Sequence, residues 1–372
     1  MRNPFTLGIA AGEDFCNREK ELKELLNYAR NGQKVVFYSP RRYGKSSLIG
    51  QVHETLSKEG YFVVYADLFS VTSETDFLSK FATAVFKGIG RGADPRTWIE
   101  KAVNIFKRFV PSVEFGSDGA AFSVRFDRTD HPDLLLDDLM EGIRSYTLRK
   151  KLKACITLDE FQEITELKES KKIEGTLRSY IQRHKEIAYF FVGSRRRILT
   201  DMFTDKSRPF YKSAFLYTFA EIPKDAFAPY ITDRFNKTGK TCALKSSGEI
   251  YDLVRGNPYY VQKLSSLCWD QTQKACNSGI VRKSYHTLIN IESAEFEGIW
   301  GGLALAQKTL LKAIAKEPAS AIFSKAYLER HKLSVGGVQK AVKYLIRRDL
   351  VEKEKGSYKI TDPVFGAWLS VQ

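Results

Sequence analysis

The sequence predicts an α/β fold over its first two-thirds: a parallel sheet flanked by helices. An all-α segment follows, and then a small unit of three helices and a hairpin. Three observations predict this. Short apolar runs without polar alternation recur between helix-compatible stretches, as expected of strands buried on both faces. The first run leads into a loop that ends Gly44-Lys45-Ser46-Ser47. From Pro223 onward the strand-like runs give way to helical patterning.

Taken in order, strands are expected at residues 34–38, 61–66, 154–158 and 187–193, with a weaker one at 215–219, and a helix from Lys45 to about Lys58. Residues 88–130 break the rhythm with Gly88, Gly90, Gly92, Pro95, Pro111, Gly116 and Gly119. This span reads as an insertion on the sheet. It should hold a helical stretch near 97–109 and a hairpin pairing 113–115 with 121–124 across Gly116-Ser117-Asp118-Gly119. Between 223 and 298 the pattern is helical throughout. Gly239 and Gly248 read as punctuation, and Arg255-Gly256-Asn257-Pro258 as a sharp interruption.

In the last segment Leu303, Ala306, Leu310, Leu311 and Ile314 share a helical face. Ser324 caps a short helix through Arg330. Ser334 caps a third, whose Val338, Ala341, Val342, Leu345 and Ile346 align. Residues 350–353 and 357–360 then read as a hairpin, completing the plan of a winged helix-turn-helix. The expected domains are 1–222 (with the 88–130 insertion), 223–300 and 301–372.

Composition narrows the function. The 372 residues are 43% hydrophobic and 28% charged, which excludes whole-chain disorder. Lys and Arg number 59 against 44 acids, for a net charge of +15. Acidic partners therefore stay in play, nucleic acid before anionic membrane. No apolar run reaches bilayer length, and the amino end lacks the apolar core of a secretory signal. With five cysteines and no C-x-x-C pair, neither a zinc site nor a disulfide framework is expected. A reducing, cytoplasmic setting fits.

The sharpest motif is Ser39-Pro40-Arg41-Arg42-Tyr43-Gly44-Lys45-Ser46-Ser47. It matches G-x-x-x-x-G-K-[ST] except at the first position, where Ser39 replaces glycine. Main-chain N–H groups of such a loop wrap a phosphate, and Gly44 supplies the backbone freedom the wrap needs. The helix that follows points its positive end at the same anion. Lys45 is expected on the β- and γ-phosphates, and Ser46 on Mg²⁺. A partner strand, Ala154-Cys155-Ile156-Thr157-Leu158, ends in Asp159-Glu160. Asp159 would hold Mg²⁺, and Glu160 would polarise the attacking water. Gln162 is a second candidate for positioning that water.

These residues resemble AAA+ ATPases of the STAND type, specifically the archaeal-ATPase group that also occurs in bacteria. The resemblance spans nearly the whole chain. Phe15-Cys16-Asn17-Arg18-Glu19-Lys20-Glu21-Leu22 is similar to the family's F-x-G-R-E-x-E-L box, with Asn17 where glycine is usual. The loop is close to P-R-R-x-G-K-[ST]-S-L, and Leu158-Asp159-Glu160-Phe161-Gln162 to its D-E-F-Q strand end. Gly256-Asn257-Pro258-Tyr259-Tyr260 resembles the G-x-P motif of a helical lid. Asp362-Pro363-Val364-Phe365-Gly366-Ala367-Trp368-Leu369 resembles the carboxyl-terminal D-P-x-F-x-x-W.

The resemblance implies Mg-ATP bound where core and lid meet, with Phe15, Asn17, Arg18, Pro258 and Tyr259 near adenine and ribose. It also implies that Ser194, after the fourth strand, acts as a sensor. The family's P-L-Y-G-R is here Pro209-Phe210-Tyr211-Lys212-Ser213. The charge-stabilising arginine is thus missing from its usual place. Arg195, Arg196, Arg197 and Arg208 are the nearby candidates, with Arg208 carried forward as catalytic.

Residues 301–372 carry 10 Lys and 3 Arg against 6 acids. Lys340, Lys343, Arg347 and Arg348 fall on the third helix, and Lys353 and Lys355 on the wing. As a DNA reader the unit would lay that helix in the major groove. Against this, Gly336-Gly337 is poor material for a base-reading helix, and such modules also serve as relay elements docked on protein. The expected function is a slow Mg-ATP-hydrolysing conformational switch, with ATP or ADP as ligand and a protein partner or self-association. The alternatives are a DNA-binding, initiator-like regulator that uses ATP only to set conformation, and a partner-sensing scaffold.

Overall fold

The computed structural model describes residues 2–8, 16–40, 42–90, 105–116, 119–125, 131–219, 221–354 and 356–371. The chain forms two compact units. One comprises Arg18–Arg41 and Lys45–Ala220; the other comprises Met1–Asn17, Arg42–Gly44 and Glu221–Gln372.

The first unit opens with α1 (Glu19–Arg30) and β1 (Lys34–Tyr38), then α2 (Lys45–Lys58), β2 (Phe62–Asp67) and α3 (Glu74–Gly90). The hairpin β3 (Val110–Gly116) and β4 (Gly119–Arg125) follows, then α4 (Pro132–Lys150), β5 (Ala154–Asp159), the 3-10 turn Phe161–Glu166, α5 (Ser170–Arg183), β6 (Ile187–Gly193), α6 (Arg196–Thr204) and β7 (Phe215–Thr218). Five strands form one sheet in the order β2-β5-β6-β1-β7, and all its pairings are parallel. Every residue of β5 and β6 is buried, which explains why they read as unbroken apolar runs. Phe161, Phe191, Phe203 and Phe210 interlock beneath the sheet at ring separations of 4.8–6.3 Å.

The insertion carries the expected hairpin, with Val113 opposite Phe122, and each strand runs to seven residues. Of the helical stretch expected near 97–109, residues 97–104 lie outside the described residues. Residues 105–109 form turns rather than helix, because Phe106 and Phe109 drop into the core against Phe86.

His184, at the end of α5, is 2% exposed and shares a 2.7 Å hydrogen bond with the Tyr189 hydroxyl. Burial first, then repulsion from Arg144, Lys34 and Arg183, pulls its pKa down to about 4. The unfolded chain binds this proton near pH 6.5 and the folded chain does not. Stability from the neutral ring is therefore complete above that pH and is lost as pH falls towards 4. Between pH 7 and 4.5 this residue should cost roughly 2–3 kcal/mol. Urea unfolding across that range should give a flatter pH profile for His184→Gln than for the parent; parallel profiles would refute the assignment.

The second unit contains α7 (Lys224–Lys237), β8 (Thr241–Cys242), α8 (Leu244–Leu253), α9 (Pro258–Gln271), β9 (Ala275–Cys276) and α10 (Ser278–Gly301). These lead into α11 (Leu305–Lys316), α12 (Lys325–Arg330), α13 (Val335–Arg347), the wing β10 (Val351–Glu354) and β11 (Ser357–Ile360), and α14 (Pro363–Val371). A single core joins Phe227, Ile231, Leu264, Leu288 and Phe296 to Leu310, Ile314, Val338, Leu345 and Phe365.

Three expectations are corrected in this unit. The segment is not helical throughout, because β8 and β9 pair in parallel over two residues, Cys242 opposite Cys276. Gly248 does not punctuate: it lies inside α8, where the Lys224 side chain crosses the space a Cβ would fill. Ala306 is exposed in the first turn of α11, and Leu303, although buried, precedes that helix rather than lying on its face.

The caps form as read. Ser324 Oγ accepts from the Tyr327 N–H, and Ser334 Oγ from the Gly337 N–H, both at 3.3 Å. The interruption is sharp because Arg255 and Gly256 take φ of +48° and +63°. Asn257 then caps α9, and Pro258 occupies its first turn. Asp362 holds the final helix in place. Its carboxylate accepts from the Val364 and Phe365 N–H groups at 2.9 Å and from the Tyr260 hydroxyl at 2.7 Å. The two motifs Gly256-Asn257-Pro258-Tyr259-Tyr260 and Asp362-Pro363 therefore meet in one polar contact.

Among the described residues the cysteines are free and four are buried, no cluster has metal-ligating composition, and no helix is long and apolar enough to cross a membrane.

Candidate active site

The loop after β1 and the acidic pair after β5 stand at the carboxyl ends of strands in one parallel sheet, where open α/β sheets bind ligands. Ser39 is 2% exposed and its Oγ bonds the Pro40 carbonyl at 3.3 Å. The serine that replaces the first motif glycine is thus accommodated inside the loop. Arg41 lies outside the described residues. Gly44 adopts φ +84°, a conformation side chains disfavour. Lys45 opens α2 with its side chain buried, and its Nζ donates to the Ser39 and Pro40 carbonyls at 3.2 and 3.3 Å. Ser46 is half-buried and Ser47 buried. Arg42, Tyr43 and Gly44 group with the second unit. There the Arg42 guanidinium lies 4.5 Å above the Tyr259 ring and 3.6 Å from Glu295. A predicted phosphate residue and a predicted adenine residue are thereby in contact. Pro258, beside Tyr259, is half-buried.

Asp159 ends β5 at 6% exposure. Its Oδ1 accepts from the Glu160 N–H at 2.9 Å, and its Oδ2 accepts a short hydrogen bond from the Tyr65 hydroxyl. Burial raises the Asp159 pKa and Glu160 adds repulsion, while the Tyr65 bond, the Glu160 N–H and the Lys45 charge oppose the rise. A carboxylate short of solvation and the Ser46 hydroxyl at the start of α2 are hard oxygen donors of the kind suited to Mg²⁺. An ion there would bring the positive charge that burial makes this group need.

Glu160 follows with φ +51°, a strained turn for a residue with a Cβ. Its Oε2 collects three donors: Ser194 Oγ at 2.8 Å, the Ser194 N–H at 3.3 Å and Gln162 Nε2 at 2.5 Å. Gln162 is fully buried, and its side chain fills the space where a Cβ at Gly193 would sit. The structure thus joins Glu160, Gln162 and Ser194 in one group.

Several of the remaining predicted residues are held by partners of their own. Arg208 donates to the fully buried Glu174 at 2.5 Å; burial pushes the Glu174 pKa up to about 7, against the pull of Arg208 and Lys171. Arg195 lies between Glu163 and Glu166, and Arg196 lies over the Tyr38 ring. Arg197 is exposed, 3.9 Å from Asp201. Phe15 lies outside the described residues. Asn17 takes φ +54°, which explains how asparagine stands where the family has glycine. Arg18 is buried, bonded to Glu21 at 2.6 Å and stacked 3.9 Å over Phe219. On the winged helix Lys340, Lys343, Arg347, Arg348 and Lys353 are exposed, and Lys355 lies outside the described residues. The sequence reading missed Tyr65; its only signal was a phenol near the end of an otherwise apolar run.

A family model described as an ATPase domain predominantly from Archaea matches residues 15–264. The chain belongs to this family. A probable winged helix domain matches residues 294–371. The fold is shared with solved structures of low identity. The Walker-type ATPase PABY2304 of Pyrococcus abyssi superposes with a TM-score of 0.69 at 16% identity, covering 98% of this chain and 99% of that one. The Aeropyrum pernix ORC2 protein, solved as ADPNP-ADP complexes, gives 0.56 at 15% identity over 95% and 94%. The Aeropyrum pernix ORC1 protein in complex with DNA gives 0.52 at 13% identity over 98% and 94%. No curated protein matches the chain. The fold is thus that of an AAA+ P-loop ATPase, with a helical region and a carboxyl-terminal winged helix.

Proposed function

We propose that this archaeal-type ATPase binds Mg-ATP, hydrolyses it slowly and uses the γ-phosphate as a conformational switch of the STAND kind in the cytoplasm. The observation that carries the reading is one sheet edge bearing Gly44-Lys45-Ser46 after β1 and Asp159-Glu160 after β5. In this reading Lys45 exchanges the Ser39 and Pro40 carbonyls for phosphate oxygens. Ser46 and Asp159 hold Mg²⁺, which neutralises the charge of the phosphate chain. Glu160 orients a water and takes its proton as the new O–P bond forms and the bond to ADP breaks. Phe15, Asn17, Arg18, Pro258 and Tyr259 remain the proposed surroundings of adenine and ribose. Two contacts favour a slow rate: Glu160 Oε2 is already occupied by Ser194 and Gln162, and Arg208 is engaged by Glu174.

A second reading, DNA binding through the winged helix, is favoured by Lys340, Lys343, Arg347 and Arg348 standing exposed along α13 and its end. One experiment tests both. Limited proteolysis and electrophoretic retardation of duplex DNA are compared in ADP-Mg and in a non-hydrolysable ATP analogue with Mg. The switch predicts different cleavage patterns in the two states, and identical patterns refute it. DNA binding predicts retardation at low salt that fades as salt rises, and no retardation at low salt refutes it.

A further inference from the structure

Tyr65 lies on β2 directly opposite Thr157 of β5, two residues before the Asp67–Asp159 pair. Its ring is 40% exposed and stands edge-on to His53, at 6.2 Å. His53 belongs to α2 and bonds the Thr157 hydroxyl at 2.9 Å. The Tyr65 hydroxyl reaches diagonally along the sheet and donates to Asp159 Oδ2. This side chain therefore touches Asp159, one of the two residues to which the proposed ATPase reading gives the metal.

A phenol has one proton to give, and that of Tyr65 goes to Asp159. This bond fixes the rotation of the Asp159 carboxylate from the Oδ2 side, while the Glu160 N–H fixes Oδ1. Outer partners of this kind orient metal ligands, and their removal typically costs about 10–100-fold in metal affinity or activity.

We propose that Tyr65 is a positioning residue that presets Asp159 for magnesium through its hydrogen bond to Oδ2. The inference rests on the Mg-ATP reading above.

Tyr65→Phe keeps the ring and its packing on His53 while deleting the hydrogen bond to Asp159. Binding of a fluorescent ADP is measured in EDTA and again as Mg²⁺ is titrated, and Mn²⁺ retention on the ADP complex is followed by electron paramagnetic resonance. The expected result is a Mg²⁺ midpoint raised about 10-fold or more and weaker Mn²⁺ retention, with metal-free ADP affinity unchanged. Thr157→Val, which breaks the His53 bond but leaves the Tyr65–Asp159 bond, should keep the parental midpoint. An unchanged midpoint in Tyr65→Phe overturns the proposal. So does an equal shift in Thr157→Val, or a loss of metal-free affinity that accounts for the whole effect. If the parent chain itself binds no ADP with or without Mg²⁺, the ATPase reading fails; if it binds and Tyr65→Phe behaves as parent, only the role of Tyr65 fails.

Discussion

Lys45→Ala is expected to weaken ATP and ADP binding at least about 100-fold, from the loss of charge-assisted hydrogen bonds worth roughly 1.5–3 kcal/mol each. The ammonium is buried and rests on the Ser39 and Pro40 carbonyls. Those carbonyls are neutral, and with the more distant pull of the Asp159 carboxylate they are modest compensation for a desolvated charge. A phosphate chain offers full negative charge at the same place, so most of what the lysine contributes is realised only with nucleotide bound. Removing it leaves two loop carbonyls without that donor, a local loss that should leave the sheet intact. Stability of the variant without nucleotide should therefore stay within about 1 kcal/mol of the parent. Titration of a fluorescent ADP, alongside a urea melt, separates the two effects. Affinity within about threefold of the parent would sink the assigned role; collapse of the melt would mean the lysine serves folding instead.

What was legible in the sequence follows from which interactions are local. β5 and β6 were visible because burial on both faces removes polar residues from the run itself. Gly44-Lys45-Ser46 was visible because one loop must supply the wrap, the charge and the hydroxyl within a few residues. The caps at Ser324 and Ser334 act over three residues and were equally readable.

The hidden features depend on register between distant segments. Tyr65 meets Asp159 across 94 positions, through a pairing of β2 with β5 that no local pattern encodes. The tie between Arg208 and Glu174 spans 34 residues and draws the predicted catalytic arginine onto α5. The β8–β9 pair is two residues long, too short for any periodicity to announce. Gly248 misled because a glycine inside a helix looks like a stop until the covering Lys224 chain is seen. Ala306 shares the helical phase of Leu310 and Ile314, but phase alone does not say where the core beneath a helix ends.

Glu160→Gln should separate binding from turnover. The glutamine is nearly isosteric, and its side-chain oxygen can accept the same bonds from Ser194 and Gln162 that Glu160 Oε2 accepts now. The strained φ of +51° is paid for by the turn after β5 and does not change with the amide. Fold and nucleotide pocket should thus survive, and ATP affinity should remain within about threefold. The amide cannot take a proton from the attacking water. Loss of a general base costs typically about 10²–10⁴ in rate, so phosphate release in a single turnover should fall by about 100-fold or more. The variant would then accumulate the ATP-bound state, which makes it the natural reagent for the proteolysis comparison. Parental turnover in this variant would transfer the water-handling role to Gln162, whose fully buried side chain already reaches Glu160. Lost ATP affinity would instead indicate that the carboxylate shapes the pocket, and its assignment to chemistry would fall.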